Sequence, residues 1–137
     1  MKVIVDTNVV LDALTGRQSW NKEAEEIFLL AAQCKGDYYI TANVATDIYY
    51  LVRKHLKSRE MVISVMNKLF QLFMIYNTNA EDCIDALHSE INDYEDAVLV
   101  EVAKRNKVDY IITRNVKDYI NSSIEAILPE DFLKKMR

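Results

Sequence analysis

The sequence predicts a three-layer α/β/α sandwich around a short, mainly parallel central sheet. Three observations carry this. Short apolar and β-branched runs, among them Val3-Ile4-Val5 and Ile111-Ile112-Thr113, alternate with longer stretches of helical periodicity, the arrangement of βαβ units. Such runs suit strands covered on both faces. The 137 residues include only 2 Gly and 1 Pro, which leaves little room for linkers or for the turns of an all-β fold. The length suits one domain spanning 1–137.

The elements follow in order. Met1 to Val5 reads as a buried first strand, and Leu11 to Ser19 as a polar connection containing Gly16 and Arg17. Residues 20–35 have Ala24, Ile27, Phe28, Ala31 and Cys34 at helical spacing, with Ser19 as a cap and Gly36 past the end. Tyr38 to Thr41 is a second strand, and 43–56 a helix with Val44, Ile48, Leu51 and Val52 inward. Ser58 caps a helix to about Phe70, with Met61, Val62, Val65, Met66 and Leu69 inward. Phe73 to Asn77 is a third strand, and Asn79 caps a helix from Ala80 to about Glu90. Asp93 opens the next helix, and Asp109 to Thr113 is the clearest interior strand. After a loop or single turn at 114–121, Ile124 to Leu128 is the last strand. Pro129 stops it, and Glu130 to Met136 is a terminal helix.

Composition narrows the function. With Gly only at 16 and 36, glycine-rich phosphate loops and dinucleotide fingerprints are excluded. Cys34 and Cys83 lie in apparent helices without metal-ligand spacing and read as reduced core thiols. The N-terminus lacks the apolar core of a signal peptide, and no apolar run approaches about 18 residues. A cytoplasmic protein without a membrane partner is expected. The net charge of −4 argues against a general nucleic-acid binder. That argument weakens where acids hold a cation against phosphate.

The acids form the informative set. Asp6 ends the first strand, Asp47 lies early on a helix, Asp93, Glu95 and Asp96 open a later helix, and Asp118 follows the late strand. In a parallel sheet the strand ends and the next helix starts share one rim, so Asp6, Asp96 and Asp118 can converge. Facing carboxylates repel one another, and a hard divalent ion such as Mg²⁺ or Mn²⁺ relieves that repulsion. Each residue also has a plainer job available. Asp93 suits a helix cap, Glu95 and Asp96 a first turn, Asp47 a solvated helix face, and Asp12 and Asp118 turns. Asp6 alone has no simple structural role. The run Arg53, Lys54, Lys57 and Arg59 serves either to guide a phosphate-bearing polymer or as a solvated helix end.

Three segments in order, Val5-Asp6-Thr7-Asn8-Val9-Val10-Leu11-Asp12, Tyr94-Glu95-Asp96-Ala97 and Ile111-Ile112-Thr113-Arg114-Asn115 with Lys117-Asp118-Tyr119, resemble the successive motifs of PIN domains. These are small α/β metal-dependent ribonucleases that include the toxins of VapBC-type toxin–antitoxin pairs. The resemblance implies an endoribonuclease that hydrolyses RNA with metal-activated water, leaving a 5′-phosphate and a 3′-hydroxyl. It implies Asp6 and Asp96 as principal holders of Mg²⁺ or Mn²⁺, with Asp118 and Asp47 completing the site and Asp93 auxiliary. Asn8, Thr113, Arg114 and Asn115 would orient these groups or the substrate. Two positions depart from the family pattern. Asp47 stands where a Glu is usual, and Asn115 where an acid often follows the Thr-Arg pair.

The resemblance also implies an antitoxin partner. The Tyr, Ile and Met of the helices at 43–56 and 58–70 suit a homodimer interface, and core packing accounts for them equally well. The alternative to the nuclease is a catalytically weak PIN-like module that binds RNA or protein. A strand-one aspartyl phosphatase is disfavoured, because Asn8 stands where such enzymes carry a second aspartate.

Overall fold

A computed structural model describes residues 1–137. Five strands form one sheet: β1 (Lys2–Val5), β2 (Asp37–Thr41), β3 (Met74–Tyr76), β4 (Tyr110–Ile112) and β5 (Ala126–Ile127). Their order is β3-β2-β1-β4-β5 and every pairing is parallel. The α/β sandwich expected from the alternating pattern is the fold observed.

The chain steps one way from β1 through β2 to β3, then returns across the sheet to β4 and β5. Parallel crossovers are right-handed, so this reversal sends the connecting helices to opposite faces. One group is α1 (Thr7–Thr15), α2 (Asn21–Ala32), α3 (Ala42–His55) and α4 (Arg59–Leu72). Within it α1 packs on α2 and α3, and α3 packs on α4. The other group pairs α5 (Ala80–Ala86) with α6 (Tyr94–Asn106), while α7 (Pro129–Met136) returns to pack on α2. The direction changes between β1 and β4, where open α/β sheets place their ligands.

Register sets what emerges there. Val5 lies opposite Ile112, and the Asp6 N–H donates to the Ile112 carbonyl at 2.9 Å. The Thr113 N–H donates to Ile127 at 3.0 Å. Asp6 and Thr113 therefore leave the sheet side by side on one rim. Beneath them Ile4, Val5, Ile111 and Ile112 are fully buried, because helices cover both faces. Tyr38 meets Phe73 and Phe132 edge-on at 6.2 and 6.1 Å, the geometry that ring quadrupoles favour.

Several local expectations are corrected. The connection expected from Leu11 to Ser19 starts only after Thr15: residues 7–15 are helix, because Asp6 caps them and Val9, Val10 and Leu11 bury an apolar face. Asp12 is no turn cap but a buried residue of that helix. Ser19 does not cap α2; Trp20 takes that place without a side-chain bond. The helix ends at Ala32, and Cys34 lies beyond it, exposed, with φ 56°. It is thus not a core thiol. Met61 is exposed, while Val62, Met66 and Leu69 carry the buried face of α4. α5 stops at Ala86. No helix is long and apolar enough to cross a membrane.

The α5–α6 pair is fastened by ions. Asn79 and Asp82 form a reciprocal cap, and Arg105 reaches Asp82 from α6 with Nη2 at 2.8 Å and Nε at 3.2 Å. Burial pushes the Asp82 carboxyl up, but Arg105 and the Asn79 N–H outweigh it and hold the carboxyl below its usual range. Such a group adds stability above its unfolded pKa, lost as pH falls through the lowered value. Arg105→Met strands a buried carboxylate and is expected to lower unfolding free energy by about 2 kcal/mol near neutral pH, the partial exposure of Arg105 lessening the usual penalty. In urea denaturation the deficit should shrink in acid. A deficit independent of pH would refute the ion-pair account.

Candidate functional site

Asp6 sits where β1 turns into α1, in extended backbone at φ −74° and ψ 157°. Its Oδ1 accepts from the Thr7 N–H at 2.8 Å, so it caps the helix. Its Oδ2 accepts from the Thr113 hydroxyl at 2.9 Å and the Tyr119 hydroxyl at 3.0 Å. The residue is only 9% exposed. Burial pushes its carboxyl up, the three donors pull it back, and it remains raised. Asp6 thus has the structural job that sequence reading did not find for it, namely an N-cap.

Asp96 comes from the opposite side of the cleft, in the first turn of α6. Asp93 caps that helix, its Oδ1 accepting from the Asp96 N–H at 3.0 Å. The Tyr119 hydroxyl lies 3.0 Å from Asp96 Oδ1 as well. One buried phenol therefore spans both carboxylates. It carries a single proton, so with both acids ionised one of the two contacts has no hydrogen. Burial, then repulsion from Asp6, Asp93 and Asp118, lifts the Asp96 carboxyl to about 6 despite the Tyr119 bond.

Asp6, Asp47, Asp93, Glu95, Asp96 and Asp118 line one open cleft of ≈ 590 Å³, with Asn8, Asn115 and Arg17. Repulsion from Asp47, then burial, raises the Glu95 carboxyl, and burial raises that of Asp47. Asn115 donates its N–H to Thr113 Oγ1 at 3.1 Å, and Asn8 Oδ1 accepts from the Arg114 N–H at 3.3 Å. Thr113 lies beneath the cleft, wholly buried.

Arg114 is the sequence candidate that lies elsewhere. Its guanidinium turns to the buried Asp12, with Nε 2.7 Å from Oδ2 and Nη2 donating to Oδ1 at 3.4 Å. Arg53 is also engaged, donating to the carbonyl of Lys57 at 2.6 Å, so it ties down the end of α3. Sequence reading gave no role to Tyr119. Its only signal was its position after Asp118 in a 3-10 turn (Val116–Tyr119).

A family model described as PIN domain matches residues 2–117. The chain belongs to the PIN domain family. Ribonuclease VapC1 of Aquifex aeolicus is 24% identical over 138 residues, covering 98% of this chain and 94% of that protein. Among solved structures, VapBC2 of Rickettsia felis bound to a promoter DNA fragment superposes with a TM-score of 0.71. It is 17% identical and covers 93% of this chain and 98% of that one. A toxin–antitoxin complex from Klebsiella pneumoniae gives 0.67 at 20% identity, covering 93% and 97%. At such identities these structures speak to the PIN fold.

The donor set of this PIN domain fits a hard divalent ion, because every candidate ligand is a carboxylate or amide oxygen. No three acids converge on one point in direct ligating reach. Asp6, Asp93, Asp96 and Asp118 thus share the cleft wall rather than a closed cage. That suits an ion held by one or two carboxylates and several waters, as Mg²⁺ commonly is.

Two outcomes follow from the Tyr119 bridge and from Asp96. Tyr119→Phe removes the hydroxyl but keeps the ring, and should weaken Mn²⁺ binding by about tenfold. Isothermal titration reads this, and an unchanged affinity would remove the bridge from the ion site. A raised carboxyl contributes stability that is complete below its unfolded pKa and lost as pH rises through about 6. In the metal-free protein, thermal stability should therefore fall relative to Asp96→Asn as pH rises through that value. A flat difference across that range would contradict the raised carboxyl.

Proposed function

We propose that this PIN domain is a divalent-metal-dependent endoribonuclease acting as the toxin of a toxin–antitoxin pair. The observation that carries the reading is the juxtaposition of Asp6 and Asp96 on one buried hydroxyl, at the rim where the sheet reverses direction. The curated relative named as a ribonuclease, aligned along nearly the whole chain, supports it.

Asp6 and Asp96 are the residues that would hold Mg²⁺ or Mn²⁺, with Asp93, Asp118 and Asp47 reached through water. Such an ion supplies positive charge against a phosphoryl oxygen and acidifies water at the site. Thr113 and Tyr119 keep the Asp6 carboxylate in one orientation. Asn8 and Asn115 place amides beside the acids, where they can meet phosphate oxygens without adding charge. His55 and His88 are not among the cleft residues, so a carboxylate is the available proton acceptor. Asn115, in place of a fourth acid, leaves Asp118 to serve that side.

An antitoxin would need apolar surface to cover. Tyr50, Ile63 and Phe70 of α3 and α4 are exposed around one groove, and Tyr50 also lines the acidic cleft. A segment seated in that groove would thus end beside the acids.

The test is cleavage of single-stranded RNA in Mg²⁺ or Mn²⁺. Wild-type protein should release products with 5′-phosphates. Asp6→Asn and Asp96→Asn should each lower turnover at least about a hundredfold, the scale of losing a group that stabilises transition-state charge. RNA binding without metal-dependent turnover would favour the non-catalytic module, and activity surviving both substitutions would defeat the assignment of these acids.

A further inference from the structure

A second cavity lies beside the acidic cleft and takes no part in the ion site. It is ≈ 280 Å³ and is lined by Ser19, Trp20, Glu23, Arg114, Leu128, Pro129 and Glu130. Ligand sites for drug-sized molecules run about 300–1,000 Å³, so this one suits a single heterocycle. Three features distinguish it from a surface dent. Ser19 holds φ 77°, a left-handed conformation that costs a non-glycine residue energy and that concentrates at functional sites. The strained residue presents Trp20, which stays 47% exposed although it is a large apolar ring. The indole rests on the Arg114 guanidinium at 4.1 Å from the ring centroid, and Asp12 fixes that guanidinium from below.

The chemistry of the lining selects the ligand. Arg114 is already neutralised by Asp12, so Glu23 and Glu130 leave the cavity net negative. It repels phosphate and accepts hydrogen bonds. An aromatic platform with acceptors at its rim suits a flat heterocycle that carries N–H donors. The position matches the cleft. Arg114 lines this cavity while its neighbour Asn115 lines the cleft. The Trp20 backbone N–H donates to the carbonyl of Arg17, another cleft residue, at 3.3 Å.

We propose that this cavity is a subsite for one unpaired RNA base next to the scissile phosphate, stacked on Trp20 and selected through its exocyclic amino group by Glu23 and Glu130. The inference rests on reading the cleft as a ribonuclease centre, and its test separates the two. Trp20 is the chain's single tryptophan, so its fluorescence reports on this cavity alone. Wild-type protein in EDTA is titrated with neutral nucleosides, with free tryptophan as the inner-filter control. Phosphate repulsion and catalysis then play no part.

Adenosine and cytidine should quench saturably, roughly tenfold more tightly than uridine, which lacks the amino group. Inorganic phosphate should do nothing. The Glu23→Gln, Glu130→Gln double variant should lose most of that preference. In the cleavage assay, Trp20→Ala should flatten base preference at the cut site while Trp20→Phe retains it, a pattern that a merely structural role does not produce. No saturable quenching up to nucleoside solubility, equal quenching by uridine, or unchanged cut-site preference in Trp20→Ala would each overturn the proposal. A wild-type protein that bound adenosine yet cut no RNA would refute the nuclease reading and leave the base site standing.

Discussion

Everything at the rim depends on keeping one carboxylate out of water. Asp6 leaves β1 at the point where the strand order reverses, and it is nearly buried. An acid so placed is costly unless its lone pairs are met. Three donors meet them, each from a different element: the Thr7 N–H of α1, the Thr113 hydroxyl after β4 and the Tyr119 hydroxyl of the 3-10 turn. The same bonds that satisfy Asp6 thereby lock the first helix, the fourth strand and the late turn together. The site and the fold share one set of contacts, so the Asp6 carboxylate is oriented by the fold itself.

The opposite wall is built by a different logic. Asp93 spends its side chain on capping α6, and that places Asp96 and Glu95 at the helix start facing Asp6. A helix N-terminus tolerates acids because of its dipole, so the arrangement is inexpensive on its own side. Burial raises the Asp96 carboxyl most, and repulsion from Asp6 across the gap and from Asp93 beside it adds to that, as repulsion from Asp47 does most for Glu95. The plain role of Asp93 and its membership of the cleft are therefore compatible, and the local rule for starting a helix is also what delivers charge to the centre.

Much of this was legible in the residues. Strand positions followed from β-branched runs such as Ile111-Ile112, α3 from periodicity, and α4 and α6 with their caps at Ser58 and Asp93. The convergence of distant acids followed from parallel topology alone. What stayed hidden depended on contacts across the chain. Leu11 to Thr15 reads as part of a connection because Gly16 and Arg17 follow and because Asp6 reads as a site residue rather than a cap. The Arg114–Asp12 pair spans 102 residues, a separation that no local pattern reports. Tyr119 was visible as a letter in a motif, but only the folded turn shows its hydroxyl between two acids. The exposure of Cys34 and Met61 likewise follows from where their helices stop and turn, which periodicity does not show.

The charge balance of the cleft sets a condition for binding phosphate. Six acids face one cation, Arg17, among its lining residues, while the nearby Arg114 is committed to Asp12. To an approaching polyanion the bare cleft is an electrostatic barrier. On the proposed function, the ion that Asp6 and Asp96 would hold would supply the positive charge that a phosphate needs to settle beside these acids. Without such charge, the same acids that would hold the ion would turn a polyanion away.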